Sequence, residues 1–130
     1  MKPGSRTVTT DTCVPISRLA ESVTSASEAA EAAGLMHYIV GHVGDGNFHL
    51  AYLVDPNVPA ERETAERLNQ ELVRRAQAMD GTCTGEHGIG LHKMDFLVEE
   101  AGAGSVAMMR TLKRALDPKN IMNPGKIFAL

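Results

Sequence analysis

An Asp-Gly pair between two apolar runs constrains the fold of this chain more than any other feature. It sits inside Gly41-His42-Val43-Gly44-Asp45-Gly46-Asn47-Phe48-His49-Leu50. Both central residues of a type I′ turn need positive φ, and Asp-Gly is among the strongest short-range hairpin signals. A two-residue turn at Asp45-Gly46 predicts pairing of Gly44 with Asn47, Val43 with Phe48 and His42 with His49. Opposed residues share a sheet face, with Cβ atoms about 4.5–5.5 Å apart. Two imidazoles would then be aimed together, which suits a metal ion. A histidine on a strand is otherwise a half-buried structural residue, so the pair alone leaves both readings open.

A second cluster bears on that choice. Gly81-Thr82-Cys83-Thr84-Gly85-Glu86-His87-Gly88-Ile89-Gly90 is a short β-like run that breaks into a glycine-rich turn with a carboxylate beside an imidazole. Glycines leave the backbone thinly covered, so a ligand could approach closely. Loops of this kind carry function more often than stability.

The remaining segments set the element order. Residues 10–14 are β-rich and end at Pro15. Leu19, Ala20, Val23, Ala26 and Ala30 repeat at helical spacing over 17–33, and Gly34 supplies a stop. Strands are predicted over 36–43 and 48–54, with Asp55-Pro56-Asn57 breaking the second. A helix over 60–79 carries Ala65, Leu68, Leu72, Ala76 and Met79 on one stripe, with charge pairs such as Glu71–Arg75 on its solvated face. Residues 82–84 make a fourth strand. This βαββαβ order predicts an α+β fold, a ferredoxin-like antiparallel sheet in which strand four lies beside strand one, then three, then two. Two short helices, 91–100 and 105–116, and an extended tail over 120–128 follow. In that sheet the end of strand four and the Asp45-Gly46 turn share an edge, so Glu86 and His87 fall two strand spacings, roughly 10 Å, from His49.

Composition excludes several classes. At 130 residues and 43% hydrophobic, the chain is expected to be one domain over 1–130. A net charge of −3 with scattered basic residues argues against a nucleic-acid surface. No apolar run approaches the roughly 20 residues that span a bilayer. Residues 1–6 lack the apolar core of a secretion signal, and Cys13 and Cys83 suit a reducing compartment, so a cytoplasmic location is expected. Both thiols read as small buried side chains. Met94, Met108, Met109 and Met122 read as gap-filling core, and His37 as an edge or solvated residue.

Four ordered segments carry a family resemblance: Val14-Pro15-Ile16-Ser17-Arg18-Leu19, His42 to His49, Thr82 to Gly90, and Leu116-Asp117-Pro118 through Asn123-Pro124-Gly125-Lys126. Together they resemble the C-terminal, cap or substrate part of FAD-linked 2-hydroxy-acid dehydrogenases of the vanillyl-alcohol oxidase type. Within that group the resemblance is to the cytochrome-linked D-lactate dehydrogenase and glycolate oxidase members. It implies that His42, His49 and Glu86 hold a divalent metal, zinc or similar, and that His87 is the general base. Two imidazoles and a carboxylate with an open position suit such an ion. An α-hydroxyl on the metal would have its pKa lowered, and an imidazole could take the proton while hydride leaves for the flavin. Asn47, Lys93 and Asn123 are expected in the vicinity of substrate or cofactor.

The resemblance also marks what these residues lack. Complete members carry an FAD-binding domain that 130 residues cannot include, and there is no dinucleotide fingerprint here. FAD is therefore expected on a separate domain or subunit, the isolated chain is expected to be inactive, and self-association is expected. The substrate-gripping arginine of relatives is not transferred to Arg6. Ala51 stands where hydroxyglutarate-type members carry Asn, which moves the expected substrate toward a shorter acid such as lactate. A second reading is a stand-alone metal-binding or interaction module without redox activity. A hydrolytic zinc enzyme ranks third, because H-E-x-x-H is absent.

Overall fold

A computed structural model describes residues 4–130, and they fall into two compact units that meet in sequence between Glu86 and His87. The secretion-signal reading of residues 1–3 lies outside the described residues.

The first unit is an antiparallel sheet with two helices. Its strands are β1 (Arg6–Thr9), β2 (Thr12–Cys13), β3 (His37–Val40) and β4 (Asn47–Val54). Its helices are α1 (Leu19–Ala32) and α2 (Pro59–Ala78). β4 is central, with β3 along one side and β1 and β2 end to end along the other. Beyond β2, Thr82 bridges Cys13 in antiparallel fashion. The strand order matches the ferredoxin-like expectation, with the first strand, expected over 10–14, found instead as β1 and β2 on either side of Thr10 and Asp11. The fourth strand, however, shrinks to that single bridge, because Thr84 and the residues after it turn toward side-chain partners.

Alternation along β4 divides the unit into two faces. Phe48, Leu50, Tyr52 and Val54 join Ala26 and Ala30 of α1 and Ala65, Leu68, Leu72 and Ala76 of α2 in one core. Each large side chain fully buried there contributes roughly 1.5–3 kcal/mol. Burial pushes the Tyr52 hydroxyl up to about 12. The other face of β4 carries Asn47, His49 and Ala51, all buried as well. Gly34, at φ 70°, ends α1 as expected. On the exposed face of α2, Glu71 pairs with Arg67, while Arg75 turns to the Ser25 carbonyl. The expected Glu71–Arg75 support is thus replaced by a pair one turn earlier.

The hairpin departs from its sequence signal. Val40 lies opposite His49 and His37 opposite Tyr52, a register two residues from the predicted one. β3 ends at Val40, and a 3-10 turn over Val43–Asp45 precedes Gly46, which alone takes the left-handed conformation at φ 76°. Two close approaches explain why no tight turn forms. A Cβ on Gly41 would stand 2.5 Å from the Asn47 carbonyl, and one on Gly46 only 2.0 Å from the Val14 carbonyl. The connection is therefore packed against β2 and β4, and His42 sits on it rather than across the ladder from His49.

The second unit, His87–Leu130, contains α3 (Met94–Leu116) and the tail. Gly102, at φ 77° and ψ 157°, breaks α3 into two helical stretches, in accord with the two helices expected. Phe96 and Val106 are its buried apolar side chains among the described residues. Met108 and Met122 are exposed, not core. Asp117 anchors the tail by accepting from the main-chain N–H groups of Ile121 and Met122, and Lys113 bridges Asp117 to the Met122 carbonyl.

Candidate metal centre

The site grows from an interruption in the sheet. β1 and β2 keep one register against β4, with Thr9 opposite Ala51 and Thr12 opposite Phe48, so Asp11 stands opposite His49. At the break, the Leu50 N–H donates to the Thr10 hydroxyl (2.8 Å) instead of the Thr10 carbonyl. That carbonyl, released from the ladder, lies 3.0 Å from His49 Nδ1. A carbonyl only accepts, which assigns the proton to Nδ1 and leaves Nε2 as the atom that can ligate.

His49 Nε2 lies 2.8 Å from Glu86 Oε1, and the other oxygen of the same carboxylate lies 3.7 Å from His42 Nε2. His42, His49 and Glu86 are thus brought to one place, Glu86 from the expected end of the fourth strand and His42 by a route the sequence did not indicate. Glu86 reaches in from the loop after the Thr82 bridge, and His42 reaches in from the connection before β4. The set grades from a buried to an open side. His49 is 9% exposed, Glu86 45% and His42 67%. A lone-pair nitrogen and a carboxylate oxygen at 2.8 Å require a proton or a cation between them. Two imidazole nitrogens and a carboxylate, one of them pre-oriented by a backbone carbonyl, fit a zinc-like divalent ion.

Asn47, expected near substrate or cofactor, is the first residue of β4. It is buried, and its amide donates to Asp11 Oδ1 and to the Thr12 carbonyl, both at 3.0 Å. His87 follows Glu86 in the chain and is exposed. Lys93, half-buried at the start of α3, and Asn123, at φ 48°, belong to the second unit. There Asn123 lines a cavity of about 350 Å³ with Lys113, Lys126 and Phe128.

Sequence reasoning missed Asp11. It is 2% exposed and accepts from Asn47, the Thr84 hydroxyl and the N–H groups of Gly85 and Glu86. The available signal was an aspartate inside a β-rich run, where that residue is depleted.

Residues 1–127 match the model of the family described as FAD linked oxidases, C-terminal domain. The chain belongs to that family. It is 46% identical over 127 residues to the mitochondrial D-lactate dehydrogenase [cytochrome] of Arabidopsis thaliana, covering 98% of this chain and 22% of that protein. It is 47% identical over 130 residues to a probable mitochondrial D-lactate dehydrogenase of Danio rerio, covering 100% of this chain and 26% of that protein. Glycolate oxidase subunit GlcD of Bacillus subtilis is 37% identical over 123 residues, 95% of this chain and 26% of that protein. This FAD-linked oxidase C-terminal domain thus spans about a quarter of the length of these relatives. A 4-ethylphenol oxidase of Gulosibacter chungangensis shares its fold at TM-score 0.66 and 18% identity, over 98% of this chain and 25% of that one. The strand pairings of the described residues are all antiparallel.

Proposed function

We propose that this chain is the metal-bearing, substrate-side portion of a flavin-dependent D-2-hydroxy-acid dehydrogenase that acts on D-lactate or a similarly short acid. The observation that carries the reading is the Glu86 carboxylate spanning His49 and His42 at 2.8 and 3.7 Å. The identity of 46% with a D-lactate dehydrogenase supports the substrate class. When bound, a divalent ion supplies acidification of a substrate hydroxyl, and FAD, carried outside these residues, supplies the hydride acceptor.

The chain's own residues supply the rest. The Thr10 carbonyl holds the His49 imidazole in the tautomer that offers Nε2. Glu86 contributes a carboxylate that balances part of the charge of a divalent ion. His87, adjacent to Glu86 in the chain, accepts the hydroxyl proton of the substrate on an imidazole nitrogen. The loss of that proton, together with the Cα hydride, converts the hydroxy acid to the keto acid. Ala51, on the same strand face as His49, adds no amide for a second substrate carboxylate, which suits a short acid.

Metal analysis of the folded chain at neutral pH tests the reading. One divalent ion per chain is expected, and His49→Ala should weaken binding by more than the roughly 10–100-fold typical of changes in outer partners. Equal metal stoichiometry in the variant would show that the ligand assignment is wrong.

A further inference from the structure

We infer that Asp11 is the positioning residue of this centre: it fixes the main chain at Glu86 so that the Glu86 carboxylate meets His49. The inference rests on the metal-centre reading and adds a residue to it.

A buried carboxylate is costly unless donors compensate it. Oδ1 of Asp11 accepts from Asn47 Nδ2 at 3.0 Å, the Gly85 N–H at 3.1 Å and the Glu86 N–H at 3.2 Å. Oδ2 accepts from the Thr84 hydroxyl at 2.8 Å and touches the Glu86 N–H at 3.4 Å. Thr84, Gly85 and Glu86 are consecutive, so one carboxylate sets the direction of the loop that delivers Glu86. Both oxygens are engaged by protein donors, and three of those donors belong to Thr84, Gly85 and Glu86, which is the arrangement of a positioning group. Asp11 is itself held between two paired stretches of strand, a rigid base for such a task.

Gly85 reports the same closeness sterically. A Cβ there would stand 1.6 Å from Asn47 Nδ2 and 2.9 Å from Asp11 Oδ1. Any side chain at 85 pushes the loop off the aspartate. The demand for an acceptor at 11 and for no side chain at 85 therefore describe one clamp, reached from its two ends.

The test uses the 130-residue chain and three variants, Asp11→Ala, Gly85→Ala and Asp11→Asn. Co²⁺ affinity is read from its visible absorption, and hydrogen exchange is measured at the Gly85 and Glu86 amides without metal. Asp11→Ala and Gly85→Ala should each weaken Co²⁺ binding about 10–100-fold and speed exchange at both amides, with exchange in α2 unchanged. Asp11→Asn should recover most of the affinity. Its carbonyl oxygen still accepts from Gly85 and Glu86, and the Thr84 hydroxyl can turn to accept from its amide. If Asp11→Ala does not fold, Gly85→Ala carries the same measurement from the loop side. Co²⁺ affinity and amide exchange unchanged in these variants would overturn the inference. A wild-type chain that binds no Co²⁺, while Asp11→Ala still frees the two amides, would overturn the metal reading and leave the clamp standing.

Discussion

His49 owes its orientation to an exchange of partners at Thr10, whose hydroxyl takes the Leu50 N–H and releases its own carbonyl to Nδ1. Thr10→Val removes the hydroxyl at nearly constant volume. The Leu50 N–H should then reclaim the carbonyl, costing about 1–3 kcal/mol of stability and weakening metal binding as His49 loses its partner. Thr10→Ser should restore both, as checked by urea unfolding and metal titration of the same samples. Cys13 offers a separate check. Burial pushes its thiol up, with the Asp45 and Asp11 charges adding to the effect, and the thiol donates to the Asp45 carbonyl. Alkylation of the native chain at neutral pH should be slower than that of a free thiol and should accelerate as pH rises above the ordinary thiol range. At this scale the sequence was legible where chemistry is written in residue type. His42, His49 and Glu86 stand out in their motifs. Asp11 does not, because its partners lie as far as 36 and 75 residues away and only the fold assembles them.

The elements were legible where periodicity decides. α1, α2 and the order of strands around β4 follow from apolar spacing and the stops at Gly34 and 55–57. The hairpin was not, because Asp45-Gly46 reports a local preference while Gly41 and Gly46 answer to close contacts with β4 and β2. Gly46 combines positive φ with a carbonyl where a Cβ would stand. Gly46→Ala should therefore destabilise the first unit by more than about 2 kcal/mol in denaturant unfolding. In the second unit, Asp117 is held below the ordinary carboxylate range, first by its hydrogen bond to Lys113 and then by the Met122 and Ile121 N–H groups. A carboxyl whose folded value is lowered contributes stability above its unfolded value and loses it as pH falls toward the folded one. The tail should thus be anchored at neutral pH and loosen below about pH 4. Tail amide exchange measured across acid pH reads this, and Asp117→Asn should abolish the dependence.

At the scale of the whole chain, the family domain spans 22–26% of these relatives, and the proposed function rests on FAD held by a separate domain or subunit. D-lactate turnover with an artificial electron acceptor should be absent from this chain alone. Apolar side chains stay exposed on the tail, including Ile121, Met122 and Leu130, and on the edge strand at Tyr38, Ile39 and Val40. Such surfaces favour association. Light scattering across micromolar concentrations should report species larger than a monomer, and a clean monomer throughout would count against self-association. X-ray absorption at the zinc edge of the loaded chain reads the ion's ligand set. A nitrogen and oxygen shell at about 2.0–2.2 Å with imidazole scattering is expected, with the imidazole scattering lost in His42→Ala/His49→Ala. A sulfur shell near about 2.3 Å, or imidazole scattering undiminished in that double variant, would contradict the assignment of His42, His49 and Glu86 as ligands.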